Sequence, residues 1–253
     1  MTREDCDIIE VDHWQCPEGT GVPLITMPNV PRALHGQGMQ PRTIYGPSVW
    51  NFMRKKAYYN ADYKCEICGC EPAKGQLHAH ELFSYDYMQH EGRFERCVAI
   101  CAKCHNAIHS GRLISMFKRN NPLYPKSYVL KVVEHCFRQI YEYNKTHDEE
   151  LRVYSTFVDY LREPELKEEM SALIKKFNIK FYTEKLSKRG RWKGWHVHVG
   201  NKTVMSPYKS QSDWERAMLE MQMRDTLRSV ETPFKGEGFD AIDAILEESK
   251  KTP

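Results

Sequence analysis

The chain contains no apolar run approaching the ~20 residues that a membrane-spanning helix requires, so no transmembrane segment is expected. The N-terminus, Met1-Thr2-Arg3-Glu4-Asp5-Cys6, lacks the apolar core of a secretory signal. There is no internal repeat and no low-complexity tract, which leaves a conventional globular fold. A mean hydropathy of -0.66 with 28% charged residues fits a water-soluble chain. Nine cysteines are present in 253 residues. Without a signal, a reducing cytoplasmic compartment suits them better than a disulfide framework.

A large charge imbalance is also missing. The net charge of +3 argues nothing by itself, whereas its distribution does. Lys175 to Arg224 carries twelve Lys/Arg against four Asp/Glu, a net +8. Tyr141 to Met170 carries nine acids against four bases, a net -5. Asp225 to Pro253 has seven acids against four bases, a net -3. A basic block between acidic ones suits a unit that binds a polyanion, and the acidic tail offers a contact for a protein partner.

The pattern along the chain predicts an α+β protein in five parts. Residues 1-46, rich in Pro and Gly, read as an extended N-terminal arm. Residues 47-120 hold a cysteine- and histidine-rich module. It is entered by a helix capped at Ser48 with Val49, Phe52, Met53 and Ala57 in one apolar stripe. Residues 121-177 form a helical connector: one helix carries Val129 to Ile140, a second runs from about Asp148 through Leu161, and a third opens at Pro164. Residues 178-230 read as three strands (Ile179-Thr183, Trp195-Val199, Lys202-Ser206) backed by a helix with Trp214. Residues 231-253 are the acidic tail.

Two pairs, Cys65-x2-Cys68 and Cys101-x2-Cys104, carry the strongest signal. Four thiolates in this spacing match a closed tetrahedral Zn2+ site that stabilises a small module. Cys70 and Cys97 stand close enough in sequence to substitute for one of them. Outside this set lie His80, His105 and His109. His105 and His109, at i and i+4, share one face of a helix, so with His80 they can hold a second divalent ion. Gln76 to Phe83 alternates as a strand, and Arg96 to Ile100 returns after a turn near Gly92. The result is a hairpin followed by a helix, with metal held between strand and helix.

At Tyr63 to Arg112 the chain resembles the HNH, or ββα-metal, nuclease superfamily. The match reads Cys-x2-Cys, His80-Glu81, then Cys-x2-Cys-His-x3-His. The resemblance implies a metal-dependent DNA endonuclease with a structural Zn2+ and a catalytic divalent ion (Mg2+ or Mn2+, alternatively Zn2+) on His80, His105 and His109. The family's base histidine is replaced by Glu81, and Arg96 falls where its middle asparagine is usual. His78, two residues before His80, is a second candidate base. A His-Glu pair followed by an aromatic-Asp, here Tyr85-Asp86, looks like a bacterial and phage branch of this superfamily. The alternative is a non-catalytic zinc-stapled protein that holds DNA or a protein partner.

The stretch Arg189 to Val199 interleaves cations with aromatics. Alternation puts Trp195, Val197 and Val199 on one face, expected to pack on the Trp214 helix, and His196 and His198 on the other. The strand-strand-strand-helix order resembles integrase-like and APETALA-type DNA-binding domains, with a double-stranded-RNA-binding domain as competitor. That resemblance implies nucleic-acid contacts from Lys188, Arg189, Arg191, Trp192, Lys193, His196, His198 and Lys202, with DNA the main partner and RNA the alternative.

Overall fold

The computed structural model describes residues 7-11, 13-14, 19, 21-26, 34, 40-148, 150-154, 163-186, 195-205, 212-213 and 216-217. The protein is α+β and divides into two compact units, Met1–Pro207 and Tyr208–Pro253. In the second unit the described residues are helical, with an Arg216–Asp213 ion pair at 2.7 Å. The Trp214 helix core and the acidic tail lie outside the described residues. Among those described, no helix is long and apolar enough to cross a membrane.

The first unit is built on an antiparallel hairpin of β3 (Leu77–Asp86) and β4 (Glu91–Cys101), preceded by β1 (Asp7–Val11), β2 (His13–Trp14) and α1 (Pro41–Asn60). The Asp86 carboxylate accepts the Met88 and Gln89 backbone N–H groups at 2.9 and 2.8 Å, which closes the turn at residues 87-90. Gly92 therefore lies within β4 and not at the turn. After β4 come α2 (Ala102–Ile108), α3 (Ser110–Lys118), α4 (Lys126–Thr146), β5 (Val153–Tyr154), α5 (Lys167–Phe177), β6 (Phe181–Leu186), β7 (His196–Val199) and β8 (Lys202–Met205).

Two sheets result, in the orders β2-β3-β4-β7-β8 and β1-β6-β5. The three C-terminal strands predicted to form one sheet are thus divided. β6 pairs in parallel with β1 and β5, while β7 pairs in parallel with β4 through Glu91↔His196 to Arg93↔His198. Strand β7, expected in a separate unit from residue 178 onward, extends the hairpin sheet. Gly92 lies close against β7: a Cβ there would stand 3.2 Å from Val197 Cγ2. Trp195, 2% exposed, packs edge-on against Tyr85 and Tyr87.

The sheet has two covered faces. On one, Leu82, Val98 and Ile100 join Leu24, Ala107, Leu113 and the apolar stripe Val129, Val132, Val133, Cys136, Phe137 and Ile140 of α4. Such side chains each contribute roughly 1.5–3 kcal/mol on full burial. On the other, Ile44 and Tyr45 of α1 pack with Phe83, Tyr85, Trp195 and Val197.

Three expectations change. Residues 1-46 are not simply an extended arm, since Val22–Thr26 forms a 3-10 turn that places fully buried Leu24 in the main core. α1 begins at Pro41 and is interrupted at Gly46 (φ 82°), with Pro47 restarting it. Its supposed apolar stripe is largely outward, Phe52 being 68% exposed, while Ala57 is buried. The helix expected from Asp148 is instead, at Val153–Tyr154, a strand on β6. Asn144 clamps Leu151 by two hydrogen bonds, 3.0 Å to its carbonyl and 2.8 Å from its N–H, and so turns the chain out of α4. Residues 155-162 are not described.

Candidate metal centre

The first knuckle starts where α1 ends. Cys65 N–H donates to the Cys70 carbonyl at 2.9 Å and Gly69 N–H donates to the Cys65 carbonyl at 2.8 Å. Gly69 has φ +70°, a conformation in which a Cβ is strained. Glu66 fastens this loop to β4: its carboxylate accepts Ala99 N–H at 2.7 Å and the Arg96 guanidinium at 2.8 Å. Arg96 also donates to the Gly19 carbonyl at 3.0 Å. Arg96, expected where the family's orienting asparagine is usual, is thus a loop clamp in this structure. Arg96→Ala should lower stability by about 1–3 kcal/mol, as expected for exposing a charge-assisted pair's partner. A denaturant titration of wild type and variant reads this directly.

The second knuckle is the end of β4 and the first turn of α2. It brings Cys101 and Cys104 to Cys65 and Cys68, with all four sulfurs within 4.8 Å of one another. Cys68 and Cys101 are 3.9 Å apart, close to the ~3.8 Å edge of a tetrahedron with ~2.3 Å metal–sulfur bonds. Cys101 is held far below the ordinary thiol range by hydrogen bonds from Cys104, Cys65, Cys68 and, more weakly, His135. Cys104 is raised in turn, mainly by Cys101. A thiolate among crowded thiols is the charge pattern that a bound dication would resolve. Cys70 is exposed and supplies only its carbonyl, and Cys97 lies opposite Glu81 in the hairpin register, so neither joins the group.

The second group is His80, His105 and His109, whose ligand nitrogens also lie within 4.8 Å of one another. The rings pack edge-to-face at 5.5, 4.9 and 4.8 Å between centroids. Burial, with His109 nearby, lowers His80 to about 3. Burial, followed by His109, His80, His78 and Arg112, lowers His105 to about 2, and burial with Arg112 lowers His109 to about 4. All three imidazoles are therefore neutral near pH 7, the form that ligates a metal. His80 is 7% exposed, and its buried Nδ1 has no hydrogen-bond partner. Such an orphan costs about 1–3 kcal/mol unless an ion satisfies it, so these residues fit a metal.

Strand alternation decides the neighbours. His78 shares the His80 face and stacks on His105 at 5.1 Å. Glu81 lies on the other face of β3, where burial raises its carboxyl and the Arg42 guanidinium of α1 opposes that rise. Glu81, the expected base, thus points away from the side of β3 that carries His78 and His80.

Two further residues carry no motif in the sequence. His135 on α4 brings Nε2 to 3.4 Å from Cys104 Sγ, and the exposed Arg112 on α3 faces His78, His105 and His109 electrostatically. Both come from elements distant from their partners along the chain or beyond the motif, so spacing gives no signal for them.

Of the predicted nucleic-acid contacts, Lys188, Arg189, Arg191, Trp192 and Lys193 lie outside the described residues. His196 and His198 are outward on β7, as alternation predicts. His198 Nδ1 is 3.1 Å from the Thr203 hydroxyl. Lys202 donates to the Ile44 carbonyl at 3.2 Å and lies over the Tyr45 ring at 4.7 Å, so it ties the β7-β8 hairpin to α1. No protein-family model, curated protein or solved structure matches the chain.

Proposed function

We propose that the protein is a metal-dependent phosphodiester hydrolase of the HNH type acting on DNA, stapled by a structural Zn2+ on Cys65, Cys68, Cys101 and Cys104. The observation that carries this reading is the second ligand group. Folding of the knuckles needs only the four thiols. A separate set of three neutral imidazoles, one with an unsatisfied buried nitrogen, is more than a staple requires. A divalent ion held by three protein ligands keeps open positions, from which it would polarise a phosphate oxygen and stabilise the leaving oxyanion.

The chain's own residues then divide the work. His80, His105 and His109 hold the ion. His78 is kept below the ordinary imidazole value chiefly by burial, so near pH 7 it is neutral and able to accept a proton from an attacking water. Arg112 supplies a permanent positive charge beside the group for a phosphate. Glu81, on the far face, has no part in this scheme.

A second reading, a non-catalytic zinc-stapled scaffold, is favoured by the deep burial of His80. Nicking of supercoiled plasmid by zinc-loaded protein with Mg2+ or Mn2+ separates the two. Under the hydrolase reading wild type nicks, His78→Ala slows nicking by about 10^2-fold, the usual worth of a general base, and Glu81→Gln stays close to wild type. Loss in Glu81→Gln with none in His78→Ala would return the base to Glu81. Folded, zinc-loaded protein that fails to cut whichever divalent ion is added establishes the scaffold.

A further inference from the structure

α1 is an unusual helix for the element that opens a module. It spans twenty residues, yet its buried residues are Pro41 and Ala57 alone. It carries Arg42, Arg54, Lys55 and Lys56 and no acidic residue at all. From Pro47 onward, Ser48, Phe52, Lys55, Lys56 and Tyr59 recur at helical spacing on one side, and every one of them is exposed. Phe52 is 68% and Tyr59 75% exposed. An aromatic ring set outward in water loses the stabilisation it would gain by burial. Two such rings flanking two cations on one stripe amount to an unpartnered face of defined chemistry.

We propose that this outward face of α1 docks a nucleic-acid strand, with Lys55 and Lys56 meeting phosphates and Phe52 and Tyr59 stacking on unpaired bases. The identity of the partner rests on the hydrolase reading above, while the surface itself is independent of it. A positive surface with base-stacking aromatics is the combination that single strands require. Arg42 sits by Glu81 and over Trp50, and Arg54 bonds Asn51. Lys55 and Lys56 are exposed and have no ion-pair partner among the described residues. Face-to-face pairing of two copies is disfavoured, because the face would meet its own positive charge. α1 covers the sheet face that carries Glu81, whereas the histidine group lies on the face of His78 and His80. The surface is therefore a second contact region and not part of the metal centre.

Fluorescence anisotropy on the full, zinc-loaded chain tests this in buffer without added divalent ions or chelator. The probes are a labelled single strand of about 20 nucleotides, long enough for one such surface, the same strand as a duplex, and polyglutamate. Wild type should bind the single strand most tightly. Lys55→Gln/Lys56→Gln should weaken it about tenfold and reduce the salt slope by about 1.4, the value for two lost single-strand phosphate contacts. Phe52→Ala/Tyr59→Ala should weaken it at least tenfold with the slope unchanged. All four side chains are exposed, so both variants should keep wild-type zinc content and circular dichroism.

The proposal is overturned if wild type fails to bind the strand, if both double variants bind it like wild type, or if polyglutamate binds as tightly as the strand. Tighter duplex binding that ignores the aromatic substitutions overturns it as well. Protein that binds through α1 and never cuts leaves this surface standing and defeats the hydrolase. Protein that cuts while both variants bind normally does the reverse.

Discussion

Cys104→Ser should release the zinc and unfold the first unit's hairpin-helix core. Cys104 is fully buried, and its sulfur belongs simultaneously to the four-thiol group and to the main apolar cluster beside Ala107, Val133 and Cys136. Replacing sulfur by a hydroxyl removes one ligand and leaves three thiols crowded around an incomplete site. Structural zinc supplies on the order of 10 kcal/mol to such modules, comparable with the whole stability of a domain. Among the described contacts, the Cys65 to Cys70 loop is held to β4 mainly through Glu66, which leaves little else to replace a lost metal. The measurements are zinc per chain and a thermal melt. Cys65→Ser should behave like Cys104→Ser, whereas Cys70→Ser should keep full zinc and a wild-type melt, since Cys70 is exposed and outside the group. Full zinc retention in Cys104→Ser would remove the structural-zinc assignment.

The parts of this architecture that are legible in the sequence are the local ones. Cysteine pairs three residues apart, a histidine four residues from another, and the alternating Trp195 to Val199 each fix a short-range geometry that tertiary packing does not change. What escapes is long-range. The alternation in β6 and β7 shows that strands exist but not which strand each meets. β7 pairs with β4, about a hundred residues away in sequence, where Gly92 lies close against Val197. For Glu81 the sequence gives order but not side: a strand puts consecutive side chains on opposite faces, so its neighbours come from α1 and not from the histidines. Arg96 misleads because its partner, Glu66, sits in the other knuckle. Arg112 and His135 need the folded chain, which brings α3 and α4 onto the two ligand groups. The segment near Val153 carries apolar residues compatible with either period, and the Asn144 clamp, invisible to periodicity, selects the strand.

His105→Ala should abolish cleavage while keeping zinc content at wild-type level. His105 is the residue on which the second group converges, in ring contact with His78, His80 and His109. It directly follows Cys104, yet its ring is aimed at the histidines and not at the thiols. Removing it takes away one of three ligands and the surface against which His78 stacks, so ion binding and proton acceptance fail together. Loss of metal-assisted catalysis and of a general base at once leaves no measurable nicking, since the base alone is worth roughly 10^2- to 10^4-fold. The effect on folding is opposite in kind. His105 burial holds an imidazole neutral at the expense of solvation, and Ala at a helical position costs nothing in propensity. The variant's melting temperature should therefore lie near that of wild type. Glutamine at the same position keeps volume and polarity but not the imidazole, and should be equally inactive. Plasmid nicking across Mg2+, Mn2+ and Zn2+, with zinc content and thermal melts measured on the same preparations, reads cleavage and folding separately. Unfolding with zinc loss would make His105 part of the staple and merge the two groups into one. Undiminished cleavage would move the active centre away from these histidines altogether.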